Sequence, residues 1–377
     1  MQTKKDELFV DFTFAEVEAR MKLFLDPVMQ HQNQELQTLL GGTAGWIKEK
    51  AKDSGFASDK IHPYMVSPFD IRFVYYDPQL LGRARYSVMK HMLANNMGLV
   101  FMRQSSAQKG YDHFLAVRSL VTDRVFYSAH GAPFLFPLYL SPIAQETRGK
   151  QNLLLDTSPW PPGKDGCVPN LNPKFIAEVE ERLGLKFVPD GTGDLKKTFG
   201  PEDILHYIYA VFHSPTYRER YAEFLKIDFP RVPLTSDREL FRRLCTLGRE
   251  LVALHLLESP TLSKLITSYP VPGDHRVEKG HPKYLAPGEP EPGTGEPLKN
   301  GRVYINKKQY FDGIAPEVWE FHVGGYQVCE KWLKDRQGRT LSSYDDLTHY
   351  RKIVVALKET MRLMEEIEEA IPSWPIQ

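Results

Sequence analysis

Leu240, Leu244, Leu247, Leu251 and Leu254 recur at helical spacing, and Ile204, Tyr207, Ile208, Val211 and Phe212 do the same one segment earlier. A helix with such a stripe is stable only when the stripe is buried. Residues 201–268 therefore predict helices packed on one another. Pro201 stands at a first helical position with Glu202 and Asp203 behind it, where a fixed φ and negative charge suit a helix start. A length of 377 residues leaves room for two or three such packed units. With 42% hydrophobic residues the chain can bury a sizeable core, which excludes wholesale disorder.

The other segments read differently. Phe9–Phe12 predicts a short strand leading into a helix with Val17, Met21, Leu23 and Phe24 inward, and a second helix is expected over Gln32–Lys52, divided at Gly41-Gly42. Strand-like runs follow at Ile71–Tyr76, Gly98–Arg103, Phe114–Ser119, Arg124–Ser128 and Phe134–Leu140, with a helix over Tyr86–Ala94. Several connections are too short for a crossover, so a partly antiparallel sheet is expected. Ser141–Asn172 reads as a loop, and 173–186 as a helix with Phe175, Ile176, Val179 and Leu183 on one face. After the Pro/Gly-rich stretch 272–301 come short strands at Arg302–Phe311 and Val318–Val323, a helix from Tyr326, and a long helix over Tyr344–Ala370. The expected class is α+β: a mixed, partly antiparallel α/β N-terminal unit followed by a mainly helical C-terminal half. Its expected divisions are lead-in helices at 1–60, a basic α/β unit at 61–145, a loop and helical subdomain at 146–271, the Pro/Gly-rich loop at 272–301, and strands with the long helix at 302–377.

Catalytic chemistry finds little support in the residues. Cys167, Cys245 and Cys329 are odd in number and far apart, which argues against a disulfide scaffold or a cysteine zinc site and fits a reducing cytoplasm. The polar N-terminus has no signal-peptide core behind it, and no apolar run is long enough for a membrane span. The histidines form no closely spaced pair, and His206 and His213 read as core residues of an apolar helix. Val188–Asp194 imitates a cofactor-binding glycine turn and, with Leu195-Lys196, a nuclease motif, but Leu185–Val188 is a weak strand, no companion Asn-Pro-Pro-Tyr-like tetrad exists, and four residues of Gly-rich loop cannot supply the two strands a nuclease site requires. A turn is the better reading. No catalytic or metal-binding residue is therefore expected.

Charge is more informative. Lys+Arg 48 balances Asp+Glu 48, so a nucleic-acid reading has to find its charge locally. Residues 71–130 provide it: eight basic residues against Asp77, Asp112 and Asp123 leave 8 − 3, an excess of +5. Aromatic residues are interleaved, among them Tyr86, Phe101, Phe126 and Tyr127, and Asn95, Asn96, Ser105, Ser106 and Gln108 add polar groups that suit base edges. The loops Gly82–Arg85 and Arg103–Gly110 are the strongest candidates. The bland alternative is a solvated basic surface with ordinary ion pairs.

Several blocks together resemble the C-terminal specificity region of Type ISP restriction–modification enzymes. They are Tyr64–Tyr76 (YMVSPFDIRFVYY), Gly98–Gln104 (GLVFMRQ), Phe136–Tyr139 (FPLY), Ile208–Arg218 (IYAVFHSPTYR), Phe229–Pro233 (FPRVP), Gly324-Gly325-Tyr326, Trp332-Leu333-Lys334 and Arg336. In that family one polypeptide joins a nuclease, a helicase-like motor, an adenine methyltransferase and a target-recognition region. The resemblance covers the last part alone, so the chain is expected to be a separate subunit, a truncated product or an excised piece. It implies that the chain reads double-stranded DNA and presents the site to an adenine-N6 methyltransferase domain or subunit, with S-adenosylmethionine held by that partner and no cofactor here. Arg83, Arg85, Arg103, Gln104 and Lys109 are the expected DNA contacts, with Lys90, Arg118 and Arg124 on phosphates. Arg72 follows Phe69-Asp70 in a strand, where pairing with Asp70 or another buried acid stands at least level with touching DNA, while Trp332, Tyr326 and Gly325 are read as packing and turn residues. Lys307-Lys308 and Arg336/Arg339 form a possible second patch. The rival readings are a free-standing DNA-binding protein, a protein-binding remnant without an enzymatic partner, and an enzyme built on the Gly191–Asp194 turn.

Overall fold

Thr13 caps the helix Phe14–Leu25 reciprocally with Glu16, and Val17, Met21 and Phe24 are buried. Leu23 is only half-buried. This local order belongs to a computed structural model that describes residues 1–26, 28, 33–39, 45–52, 54–104, 111–128, 131–142, 160–163, 165–342 and 345–376. Helices and sheets are both present, as an α+β class requires. The chain forms two compact units, one of Met1–Leu99, Val117–Val125 and Leu135–Asn170, the other of Val100–Ala116, Phe126–Phe134 and Leu171–Gln377. Strands Gly98–Phe101, Phe114–Val117 and Phe134–Pro137 carry the chain from one to the other.

The first unit is organised by a mixed sheet. Val10–Asp11, Asp70–Tyr75 and Ile61–Ser67 pair antiparallel, and Leu120–Val121 adds to Ile61–Ser67 in parallel. Tyr64, Met65, Val74 and Tyr75 of this sheet are buried. Ile61–Ser67 is a strand the residue pattern does not announce, because Pro63 interrupts it. Arg124–Ser128, expected as a strand, instead begins within a turn in which Val125 N donates to Thr122 O. Short helices occupy Gln34–Leu39 and Gly45–Ala51, and Gly41-Gly42 lie outside the described residues. His91 Nδ1 accepts from Ser141 N at 3.0 Å.

The second unit is built on the predicted stripes. Pro201–His213 is buried on almost every side, with Ile208 half-exposed, and Leu240, Leu244, Leu247, Leu251 and Leu254 of Arg238–His255 are all buried. The two helices cross at Gly248, where an added Cβ would lie 1.9 Å from His206 O. A polar chain ties in the long C-terminal helix Asp345–Ala370. Ala116 N donates to Tyr209 Oη, whose hydroxyl meets His255 Nδ1; His255 Nε2 lies 2.9 Å from Thr360 Oγ1, which donates to Ala356 O. This sequence of donors fits a neutral His255 protonated on Nε2. His213 Nδ1 donates to Tyr209 O at 2.7 Å. The acidic end of the long helix is used as well: Glu368 accepts from the Ser214 and Thr216 hydroxyls. A three-stranded antiparallel sheet joins Lys283–Leu285, Arg302–Tyr304 and Tyr310–Asp312. Val318-Trp319, expected in a strand, sit in a short helix begun by Pro316; His322–Val323 pairs antiparallel with Tyr326–Gln327, and the helix expected from Tyr326 starts at Val328.

Burial, then the nearby Arg218 charge, pushes the His255 imidazole down to about 3, and burial first also pushes His213 well below its ordinary value. Both stay neutral in the fold while the unfolded forms take up protons below about pH 6.5. Their stabilising contribution is therefore complete above about pH 6.5 and falls with decreasing pH by about 1.4 kcal/mol per pH unit for each histidine. Denaturant unfolding between pH 7 and 5 should show this loss, and a midpoint unchanged over that range would contradict it. Gly248→Ala should destabilise by about 1–3 kcal/mol through overpacking, although Gly→Ala within an unhindered helix stabilises. A raised melting temperature would mean that the two helices separate at little cost.

Candidate nucleic-acid interface

Two sequence-predicted contacts of the first unit lie on one turn. Arg83 is held by main-chain bonds in both directions, its N donating to Gln2 O at 2.9 Å and its O accepting from Gln2 N at 3.0 Å. Gly82 N donates to Thr3 O, and the buried Tyr76 hydroxyl donates to Ala84 O. Arg85 then takes a left-handed conformation, φ 52°, before the helix Tyr86–Met89. An arginine gains nothing from that conformation by itself, so the surrounding turn imposes it. Both arginine side chains are exposed. Across Gln2 lies Asp123, which accepts from the Gln2 amide, and Arg124 follows it with its side chain exposed. The fold thus gathers Arg83, Arg85 and Arg124 on the two flanks of Gln2. Arg118 is exposed in the link to Leu120–Val121, and Lys90 is half-buried in a single 3₁₀ turn.

The second unit uses its predicted contacts differently. Arg103 Nε pairs with Asp228 Oδ1 at 3.0 Å and its guanidinium lies 5.8 Å from the Phe229 ring centroid. Gln104 Nε2 donates to Ile227 O at 2.8 Å. Both side chains therefore anchor the segment Ile227–Phe229. Tyr217 donates to Arg231 O and Tyr207 to Pro233 O, each at 2.7 Å, which fixes the following residues. This anchored loop presents Ile227, 66% exposed, beside the Phe229–Phe134 ring pair. Residue patterns did not single out Ile227; the Phe229–Pro233 block was the available signal. Lys109 lies outside the described residues, with Ser105, Ser106 and Gln108.

Other basic residues have internal roles. Arg72 pairs with the buried Asp70 at 2.8 Å and lies over the Phe12 ring. Arg336, expected in a second contact patch, is 5% exposed and sits 3.5 Å from the Trp332 ring centroid, which removes it from that patch. Lys307, Lys308 and Arg339 are exposed. The catalytic look-alike is a turn held by its own acids. Asp194 Oδ1 accepts from the amides of Lys196, Lys197 and Thr198, which hold its carboxyl below the usual range. Asp203 Oδ2 accepts from Gly193 N and Gly200 N. Among the described residues no three His, Cys, Asp or Glu side chains converge as a metal site would require, and no helix is long and apolar enough to cross a membrane.

The sequence matches the Type ISP C-terminal specificity domain over residues 1–366. The chain belongs to that family. No curated protein matches this specificity domain by sequence. Solved structures share its fold. The ATP-dependent Type ISP restriction-modification enzyme LlaBIII bound to DNA matches with a TM-score of 0.66 at 18% identity, over 100% of this chain and 23% of that one. A nuclease-deletion mutant of the Type ISP enzyme LlaGI, in complex with a DNA substrate mimic, matches with a TM-score of 0.63 at 17% identity, over 100% of this chain and 33% of that one. The DrdV–DNA complex matches with a TM-score of 0.63 at 19% identity, over 97% of this chain and 35% of that one. The domain thus spans about a quarter to a third of the length of these chains.

Within the specificity domain, Arg103→Ala should loosen Ile227–Phe229 without unfolding the unit. Amide exchange at Ile227 and Phe229 should accelerate while the melting temperature stays essentially unmoved, as expected for an exposed ion pair. Cooperative destabilisation of the whole unit would show that Arg103 is a packing residue.

Proposed function

We propose that the chain is a sequence-reading module for double-stranded DNA that presents its site to an adenine-N6 methyltransferase of the Type ISP kind. The observation that carries the reading is membership of the specificity-domain family across residues 1–366. Arg83, Arg85 and Arg124, exposed around Gln2, suit phosphate contact, and Arg118 and Lys90 extend the basic set of the same unit. Phosphate contacts would set register and grip, and base-edge contacts would carry specificity. Flipping an adenine costs a few kcal/mol, and a module that grips the duplex beside it helps to offset that cost. On this reading S-adenosylmethionine belongs with the methyltransferase.

A second reading, a protein-binding remnant, draws on the exposed Ile227 and on Phe134, 46% exposed. Retention of random-sequence duplexes over a salt titration separates the two. A DNA reader should show affinity falling steeply with salt and an enriched motif in the retained pool, while a protein-binding remnant should retain no duplex even at low salt. Arg83→Ala with Arg85→Ala should reduce the salt slope by about two, close to one per lost phosphate contact, with folding intact. A folded double variant with wild-type slope and affinity would remove these arginines from the interface.

A further inference from the structure

Tyr127, in the second unit, combines a 69% exposed side chain with a main chain held from two sides. Its N donates to Gly324 O at 2.7 Å, and His113 Nε2 donates to its carbonyl at 3.2 Å. The partners are themselves fixed. Gly324 N donates to Asp112 O at 3.0 Å, Gly325 N donates to Asp112 Oδ2 at 3.2 Å, and His113 Nδ1 lies 3.0 Å from Asp112 Oδ1. Gly324 and Gly325 have φ of 58° and 78°. A Cβ on Gly324 would lie 2.0 Å from the Phe126 ring, and one on Gly325 would lie 2.7 Å from Tyr127 O. Both glycines are therefore needed for this turn to approach residues 126–127 so closely. Burial pushes the Asp112 carboxyl up, but His113, the Gly325 amide and Arg218 together leave it below its usual range, so the clamp contains an ionised carboxylate.

A half-buried carboxylate, a buried histidine and two left-handed glycines converge on one residue whose ring remains in water. The ring leans on Tyr326, centroids 5.9 Å apart, and the Lys331 ammonium lies 5.1 Å from the Tyr326 ring centroid. Lys331 is itself paired with Asp335 at 2.6 Å, so what suits the site to a nucleobase, which offers a flat π-face whatever its identity, is a rigid exposed aromatic with few rotatable bonds, backed by a second ring. Flipping one base of a pair leaves the opposite base without a partner.

We propose that Tyr127 is a base-stacking residue, its ring packing on a nucleobase that has lost its pairing partner in the bound duplex while the Asp112–His113 pair and the Gly324-Gly325 turn hold its main chain in place. This rests on the DNA reading above.

The test compares the full 377-residue chain with Tyr127→Ala and Tyr127→Phe on two probes, a fully paired duplex and the same duplex with one unpaired base. The wild-type chain should prefer the unpaired-base duplex. Tyr127→Ala should lose that preference by about fivefold to a hundredfold, the worth of one base–aromatic stack, with affinity and salt slope on the paired duplex unchanged. Tyr127→Phe should keep it, because stacking needs the ring and not the hydroxyl. The proposal fails alone if the wild type binds paired DNA with a steep salt slope but shows no preference, if the folded alanine variant discriminates like wild type, or if phenylalanine loses as much as alanine. Absence of wild-type binding to either probe overturns the DNA reading with it.

Discussion

The approach of the helices Pro201–His213 and Arg238–His255 at Gly248 is the constraint on which the second unit depends. With His206 O only 1.9 Å from where a Cβ would stand, the two backbones pack as closely as a glycine allows. That closeness brings Tyr209 and His255 into hydrogen-bond contact, and His255 in turn reaches Thr360 on the long C-terminal helix. One small residue therefore permits a three-helix arrangement whose buried polar groups specify which helix sits where. A polar chain of this kind is costly if any member lacks a partner and specifying when all are satisfied. The same packing places Tyr217 and Tyr207 to hold the chain after Phe229, so the geometry of that surface loop derives from the core beneath it.

Electrostatics divides the basic residues into two sets that composition alone does not separate. Arg72, Arg103 and Arg336 lie against carboxylates or rings of the fold, and Arg218 is buried among aromatic residues. Arg83 and Arg85 are bound to the fold through their backbones, which leaves their side chains toward solvent. An excess of +5 over residues 71–130 thus exceeds the charge available to a ligand. The share that is consumed internally is set by partners such as Asp228, 125 residues from Arg103.

This divides what the sequence made legible from what it did not. The leucine stripe, the Pro201 helix start, the Arg72–Asp70 pair and the Gly191–Asp194 turn could be read because each depends on residues close in sequence. Periodicity, a fixed φ, a pair two residues apart and an acid accepting nearby amides are all local. Ile61–Ser67 was not legible, since Pro63 argues against a strand and only its pairing with Asp70–Tyr75 and Leu120–Val121 outweighs that. Val318-Trp319 shows the reverse, an apolar run that Pro316 turns into a helix. Of the candidate contacts, Arg83 and Arg85 lie on an exposed turn, within the Gly82–Arg85 loop that the local residue types pointed to. The anchoring of Arg103 and Gln104 by Ile227–Asp228, and the clamp around Tyr127, depend on contacts between distant segments and left no local trace.

The bonds that hold positions 83 and 127 are made by main-chain atoms. Arg83 is fixed by its own N and O, and Tyr127 by its N and O through Gly324 and His113. None of these bonds uses the side chain, so either side chain can change without loosening the scaffold beneath it. Fixing the backbone in advance also removes an ordering cost of about 1–2 kcal/mol per residue from the binding step. If positions 83 and 127 meet DNA as proposed, they gain from a backbone that is both rigid and indifferent to the side chain it carries. Clamping through peptide groups gives both properties, because the peptide unit is common to every replacement except proline, which would remove the donor N–H.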